Sequence, residues 1–156
     1  MSTVKTLQIN SPSSDVTEKL GETIGANLRG GEILELVSDV GGGKTTFTRG
    51  LARGAGSTDR VASPTFTVSK MYDAPKFTIA HYDFYRLNEP GIMAAELHET
   101  VHDEDVVTVI EWSDIVAGVL PDKRLRIEFI QNGDESREVK MTFPDEIAYL
   151  LAGIHP

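Results

Sequence analysis

The stretch from Glu32 to Arg53 constrains the fold more than any other part of this chain. Glu32-Ile33-Leu34-Glu35-Leu36-Val37 reads as a short aliphatic strand, and the glycines Gly41-Gly42-Gly43 follow almost at once. Lys44-Thr45-Thr46 comes next, and Thr45 to Arg53 reads as a helix ended by Gly54 and Gly56. Successive backbone N–H groups can converge on one anion only where the chain bends without Cβ clashes, and three consecutive glycines permit that bend. The helix behind the turn adds the positive end of its dipole. Strand, glycine turn and helix in this order predict a phosphate-binding loop for ATP with Mg²⁺. Gly41, Gly42 and Gly43 are expected to wrap the phosphates. Lys44 supplies a point charge toward the β- and γ-phosphates, and Thr45 offers a hydroxyl to the metal. The general pattern of such loops, Gly-x-x-x-x-Gly-Lys-Ser/Thr, puts a glycine where this chain has Ser38.

The remaining elements alternate in type. Val4 to Ile9 alternates as a strand. A helix follows, with Asp15 as its cap, Glu18 completing a capping box, and an apolar stripe of Val16, Leu20, Ile24 and Leu28 that stops at Gly30-Gly31. Phe66–Tyr72 and Phe77–Tyr82 read as strands, and Met93–His102 as a helix begun near Pro90. Val106–Ile110 is continuously apolar, as in a strand buried on both faces. Leu125–Ile130 and Glu138–Phe143 flank Asn132-Gly133 as a hairpin, and Asp145–Ala152 is a final helix. The sum is a single α/β domain over residues 1–156. It is a three-layer fold of the P-loop NTPase kind, with a mixed sheet that is parallel at the centre and closed by an antiparallel edge hairpin.

The chain has 156 residues and no cysteine, which excludes disulfides and cysteine-based metal sites. No apolar run has transmembrane length, and Met1–Asn10 lacks the pattern of a signal peptide, so a cytoplasmic protein with no membrane partner is expected. The net charge of −9 argues against unaided gripping of a polyanion, since that needs many Lys and Arg contacts to phosphates. It is compatible with one small anion held at a dedicated loop.

A phosphate loop needs a carboxylate at the end of a neighbouring strand to complete the metal shell. Glu111 ends the strand Val106–Ile110, and Asp83 ends the strand Phe77–Tyr82. Glu111 is assigned to Mg²⁺ and Asp83 to the attacking water, an assignment in which the two roles are exchangeable.

Four segments together carry a resemblance. They are the loop at 41–46, Ser63-Pro64-Thr65-Phe66, His81-Tyr82-Asp83-Phe84-Tyr85-Arg86-Leu87, and Glu111-Trp112. In this order they resemble the TsaE family, small bacterial ATPases of tRNA threonylcarbamoyladenosine biosynthesis, over most of the chain from about Thr17 to about Arg137. The resemblance implies that Lys44 and Thr46 contact phosphates and that Thr45 and Glu111 hold Mg²⁺. It further implies that Asp83 is needed for hydrolysis, that Ser63, Pro64, Thr65 and Phe66 act as a switch near the γ-phosphate, and that Arg137 reaches the nucleotide. The implied partners are a threonylcarbamoyl transferase subunit and its inactive paralogue, with tRNA engaged only indirectly. ATP hydrolysis would reset or regulate that complex. Glycine is usual in the family at the position of Ser38, a departure taken to affect loop geometry. Trp112, the only tryptophan, serves either core packing or packing beside the nucleotide or partner.

Three other readings compete. His98-Glu99-Thr100-Val101-His102 matches the H-E-x-x-H zinc-protease pattern, but no third ligand follows at the usual spacing, and His155 at the tail is the only later histidine. A small-molecule kinase would show an arginine-bearing lid, and no Arg-rich loop occurs between Arg86 and Lys123-Arg124. A GTPase would show an Asn/Thr-Lys-x-Asp motif, which is missing from the sequence.

Overall fold

The structure is a computed structural model, and it describes residues 3–38, 43–62, 69–84 and 91–155. Among the described residues, seven strands form one sheet: β1 (Val4–Ser11), β2 (Ile33–Val37), β3 (Ser69–Asp73), β4 (Thr78–Asp83), β5 (Val106–Glu111), β6 (Leu125–Gln131) and β7 (Arg137–Pro144). Their spatial order is β1-β7-β6-β2-β5-β4-β3. The pairs β6–β2, β2–β5 and β5–β4 are parallel, while β3–β4, β6–β7 and β1–β7 are antiparallel. The parallel centre is therefore as expected from the sequence. The β6–β7 hairpin lies one strand in from the edge, because β1 adds along β7.

Alternation along the strands builds two cores. Leu34, Ile79, Val107, Val109 and Ile127 point to one side, where α1 (Ser14–Asn27) and α2 (Lys44–Gly54) pack. Ile33, Ala80, Tyr82 and Ile110 point to the other, against α3 (Gly91–Val101) and a 3-10 helix, Ser113–Val119. Two apolar faces on the sheet require two covering layers, and the helices supply them.

Three local expectations need correction. The cap of α1 is Ser13, whose hydroxyl accepts from the Val16 N–H, in place of Asp15. Val16 is exposed, and the buried face of α1 is Thr17, Leu20, Gly21, Ile24 and Gly25. Glycines, which an apolar count passes over, make this contact: a Cβ on Gly21 would lie 2.2 Å from the Phe47 carbonyl oxygen, and one on Gly50 would lie 1.9 Å from that of Glu18. The two helix backbones touch, so α2 is held in place by α1. Glu18 and Glu22 also pair with Arg53 across the same crossing. Finally, Asp145–Leu151 is a 3-10 helix kinked at Ile147, in place of a regular final helix.

Candidate functional site

The parallel strands β2, β4 and β5 have their C-terminal ends on the same side of the sheet, and α2 starts there. Gly43 caps α2 with φ +104°, a left-handed conformation that glycine adopts without strain. A Cβ at this glycine would lie 3.8 Å from Thr17 Cγ2 and 4.0 Å from Arg137 Nε, so α1 and β7 also border the loop. Thr45 and Thr46 occupy the first turn of α2, both partly buried. Gly41, Gly42 and the segment Ser63, Pro64, Thr65 and Phe66 lie outside the described residues.

Lys44 is buried, which is costly for an ammonium group without partners. Its Nζ lies 3.8 Å from Glu111 Oε1, donates to the Ser38 carbonyl at 3.2 Å, and stands 4.3 Å from the centre of the Trp112 ring. Ser38 thus makes this contact through its backbone, a group that glycine would supply equally. Trp112 has φ +57°, an unusual conformation for a bulky residue and one that concentrates at functional positions. The turn follows directly on Glu111 and sets the indole against Lys44.

Glu111 is 3% exposed. Its second oxygen accepts from His81 Nε2 at 2.5 Å. His81 Nδ1 lies 3.1 Å from the Tyr72 hydroxyl, which donates to the Ala62 carbonyl at 2.9 Å. Burial pushes the Tyr72 hydroxyl above its ordinary pKa. The bond to Ala62 opposes that shift and the Glu111 charge adds to it, so the phenol keeps its proton. Asp83 is the register partner of Glu111 across β4 and β5, and the Phe84 N–H donates to the Glu111 carbonyl. Residues paired in register on parallel strands share a face, so the two acids stand side by side.

Arg137, at the start of β7, is buried and donates to the carbonyls of Ser136, Asp134 and Gly133. The sequence reading named Lys44, Asp83 and Glu111, and the fold brings the three to neighbouring positions, Lys44 against Glu111 and Asp83 in register with it. The same reading quoted His81 within a motif without giving it a role, and it missed Tyr72. The signal available for His81 was a polar residue on an otherwise buried strand face, whereas Tyr72 is the one buried residue of a largely exposed β3.

A second buried carboxylate lies nearby. Glu35 on β2 accepts from the Ser113 hydroxyl and from Arg124 Nε at 3.0 Å, with Arg126 3.5 Å away. Burial raises its pKa, but the bonds from Ser113 and Arg124 and the two guanidinium charges outweigh burial and hold it below its ordinary value. Arg126 also helps line a cavity of about 410 Å³ beside Ser38, Trp112 and Ile130.

The H-E-x-x-H histidines do fall on and just after α3, with ring centres 4.6 Å apart. His102 Nδ1 faces the His98 carbonyl at 2.7 Å, and among the described residues no three His, Asp or Glu side chains form a group able to hold a metal. Among the same residues, no helix is long and apolar enough to cross a membrane.

A mixed sheet with a parallel centre, a glycine-capped helix at the end of its central strand, a buried lysine at the helix start and an acid at the neighbouring strand end define an α/β protein of the P-loop NTPase type. The family model of the threonylcarbamoyl adenosine biosynthesis protein TsaE matches residues 11–139, and the chain belongs to that family. The tRNA threonylcarbamoyladenosine biosynthesis protein TsaE of Bacillus subtilis is 34% identical over 139 residues, covering 89% of this chain and 87% of its own. Its counterpart from Streptomyces coelicolor is 34% identical over 132 residues, 80% of this chain and 88% of its own. The crystal structure of Bacillus subtilis YdiB superposes with a TM-score of 0.78 at 32% identity, covering 94% of this chain and 90% of that one.

Proposed function

We propose that this protein is a magnesium-dependent ATP hydrolase that assists the transferase complex making threonylcarbamoyladenosine beside the anticodon of tRNA. The observation that carries the reading is the buried contact between Lys44 and Glu111, with Asp83 in register beside it. The residues present fit Mg²⁺ and ATP. The donors are a threonine hydroxyl and a carboxylate, hard oxygens of the kind magnesium takes alongside nucleotide phosphates. Gly43 gives the close backbone approach that phosphates need. When bound, the metal would neutralise charge developing on the phosphates.

Within this reading the chain's own groups divide the work. Gly41, Gly42 and Gly43 wrap the phosphates with backbone N–H groups, and Thr46 adds a contact at the start of α2. Lys44 turns from Glu111 toward the β- and γ-phosphates. Thr45 and Glu111 hold the metal, Asp83 orients the attacking water, and Arg137 borders the nucleotide beside Gly43. Ser63–Phe66 acts as the switch that reports hydrolysis.

The partners are the transferase subunit and its inactive paralogue, in the cytoplasm. The tRNA is met through them, since a chain of net charge −9 suits a basic protein surface better than a polyanion. Family membership and the names of the relatives support the pathway. The test is ATP hydrolysis by the protein alone and with the transferase subunits added, together with pull-down of those subunits in ATP, in ADP and without nucleotide. The expected result is slow hydrolysis that rises on docking, and docking that depends on the nucleotide. Equal capture in all three states would leave hydrolysis with nothing to regulate.

A further inference from the structure

His81 sits within β4 with no solvent exposure, and Tyr72 on β3 is 1% exposed. Aliphatic side chains would fill these positions at lower desolvation cost, so both polar groups need a reason to be there. The contacts supply one. A carboxylate at the end of a side chain turns readily about its last torsion, which has broad wells. At Glu111, His81 Nε2 holds one oxygen, and the other faces the Lys44 ammonium at the start of α2. The histidine ring cannot swing in its turn, because Nδ1 meets the Tyr72 hydroxyl, and that hydroxyl is anchored on the Ala62 carbonyl.

We infer that Tyr72 and His81 are positioning residues: they fix the Glu111 carboxylate in the orientation that receives a magnesium–nucleotide complex and tie it to the backbone at Ala62. The inference rests on the reading of Glu111 as the magnesium-holding acid. The pair touches neither metal nor nucleotide and acts through Glu111 alone. Groups that orient a metal ligand typically account for about 10- to 100-fold in metal affinity. A pair that merely filled the core would alter stability and leave the metal dependence of binding alone.

The experiment compares wild type with Tyr72→Phe, His81→Gln and the double variant of the full chain. ATP affinity is measured by calorimetry with Mg²⁺ and with EDTA, and Mg²⁺ is titrated at saturating ATP. The half-saturating Mg²⁺ concentration is expected to rise about 10-fold in each single variant, with ATP affinity in EDTA unchanged. The double variant should match His81→Gln, since Tyr72 acts through His81. Should His81→Gln fail to fold, Tyr72→Phe, which removes one oxygen atom, carries the test. Magnesium titrations that superpose on a magnesium-dependent wild type would overturn the inference and leave the reading of Glu111 intact. Equal losses with Mg²⁺ and with EDTA would do the same. A wild type that binds ATP equally well in both conditions would overturn both.

Discussion

Lys44 Nζ and Glu111 Oε1 lie 3.8 Å apart with both side chains buried, joining the first residue of the loop helix to the last residue of a central strand. In water such a contact would contribute little. Here neither charge can be left alone without a desolvation penalty, so the pair holds both groups at the strand ends until something better charged arrives. The triphosphate and its metal are the proposed arrival, one pairing with the lysine and the other with the acid.

The proposed site gives the two acids separate roles. Asp83→Asn is expected to keep ATP binding and lose most hydrolysis, while Glu111→Gln is expected to lose the magnesium dependence of binding first. Steady-state hydrolysis together with calorimetry at several Mg²⁺ concentrations checks both. Wild-type turnover in the two variants would remove these residues from the site.

Trp112 gives a direct readout of Lys44, since the ammonium stands 4.3 Å from its ring and the chain has one tryptophan. Drawing the lysine onto phosphates changes the charge next to the indole. Intrinsic fluorescence is expected to shift on adding ATP with Mg²⁺ in the wild type, and the shift should be lost in Lys44→Met at concentrations where the wild type is saturated. An identical shift in the variant would mean that the indole reports something other than the lysine.

The crossing of α1 and α2 fixes where α2 begins, and it tolerates no added atom. Gly50→Ala would push a Cβ to 1.9 Å from the Glu18 carbonyl oxygen, a clash with backbone that cannot move aside alone. Overpacking of this kind costs about 3 kcal/mol or more, which lowers Tm by roughly 6–12 °C in a chain of this size. Gly118→Ala, with nothing within 4 Å, is the matched control and should leave Tm nearly unchanged. Thermal unfolding of the two variants decides between a tight crossing and a loose one.

Glu35 makes stability depend on pH. Its folded pKa lies below the ordinary value, so its contribution is fully present above the unfolded pKa of about 4.3 and is lost as pH falls through the folded value. Glu35→Gln is therefore expected to be less stable than wild type by about 1.5–3 kcal/mol at neutral pH. That gap should close on acidification below about pH 4. Denaturant melts across that range give the gap directly, and one that stayed constant with pH would show that the Glu35 charge is not what Arg124 and Arg126 stabilise.

Much of this site was legible in the sequence because its signals are local. The strand before the glycines, the helix after them and an acid at the end of each of two later strands all lie within short windows. What was not legible depends on sheet order and close approach. Asp83 and Glu111 stand side by side because β4 and β5 pair in parallel, and nothing near either residue specifies that register. Tyr72 and His81 meet across an antiparallel pair, where both read as ordinary strand residues. The face of α1 was misjudged at Val16 because helices in contact select glycine, whereas an apolar count selects bulk. Arg137 reaches Gly43 from a strand that starts almost a hundred residues later in the chain.

The most direct measurement is calorimetric titration of ATP with Mg²⁺ into the wild-type protein and into Lys44→Ala. The proposed site predicts saturable one-to-one binding by the wild type. It predicts an affinity lower by roughly ten- to a hundredfold in the variant, the loss expected when a charge-assisted hydrogen bond worth about 1.5–3 kcal/mol is removed. No heat of binding in the wild type, or equal affinity in the two proteins, would contradict it.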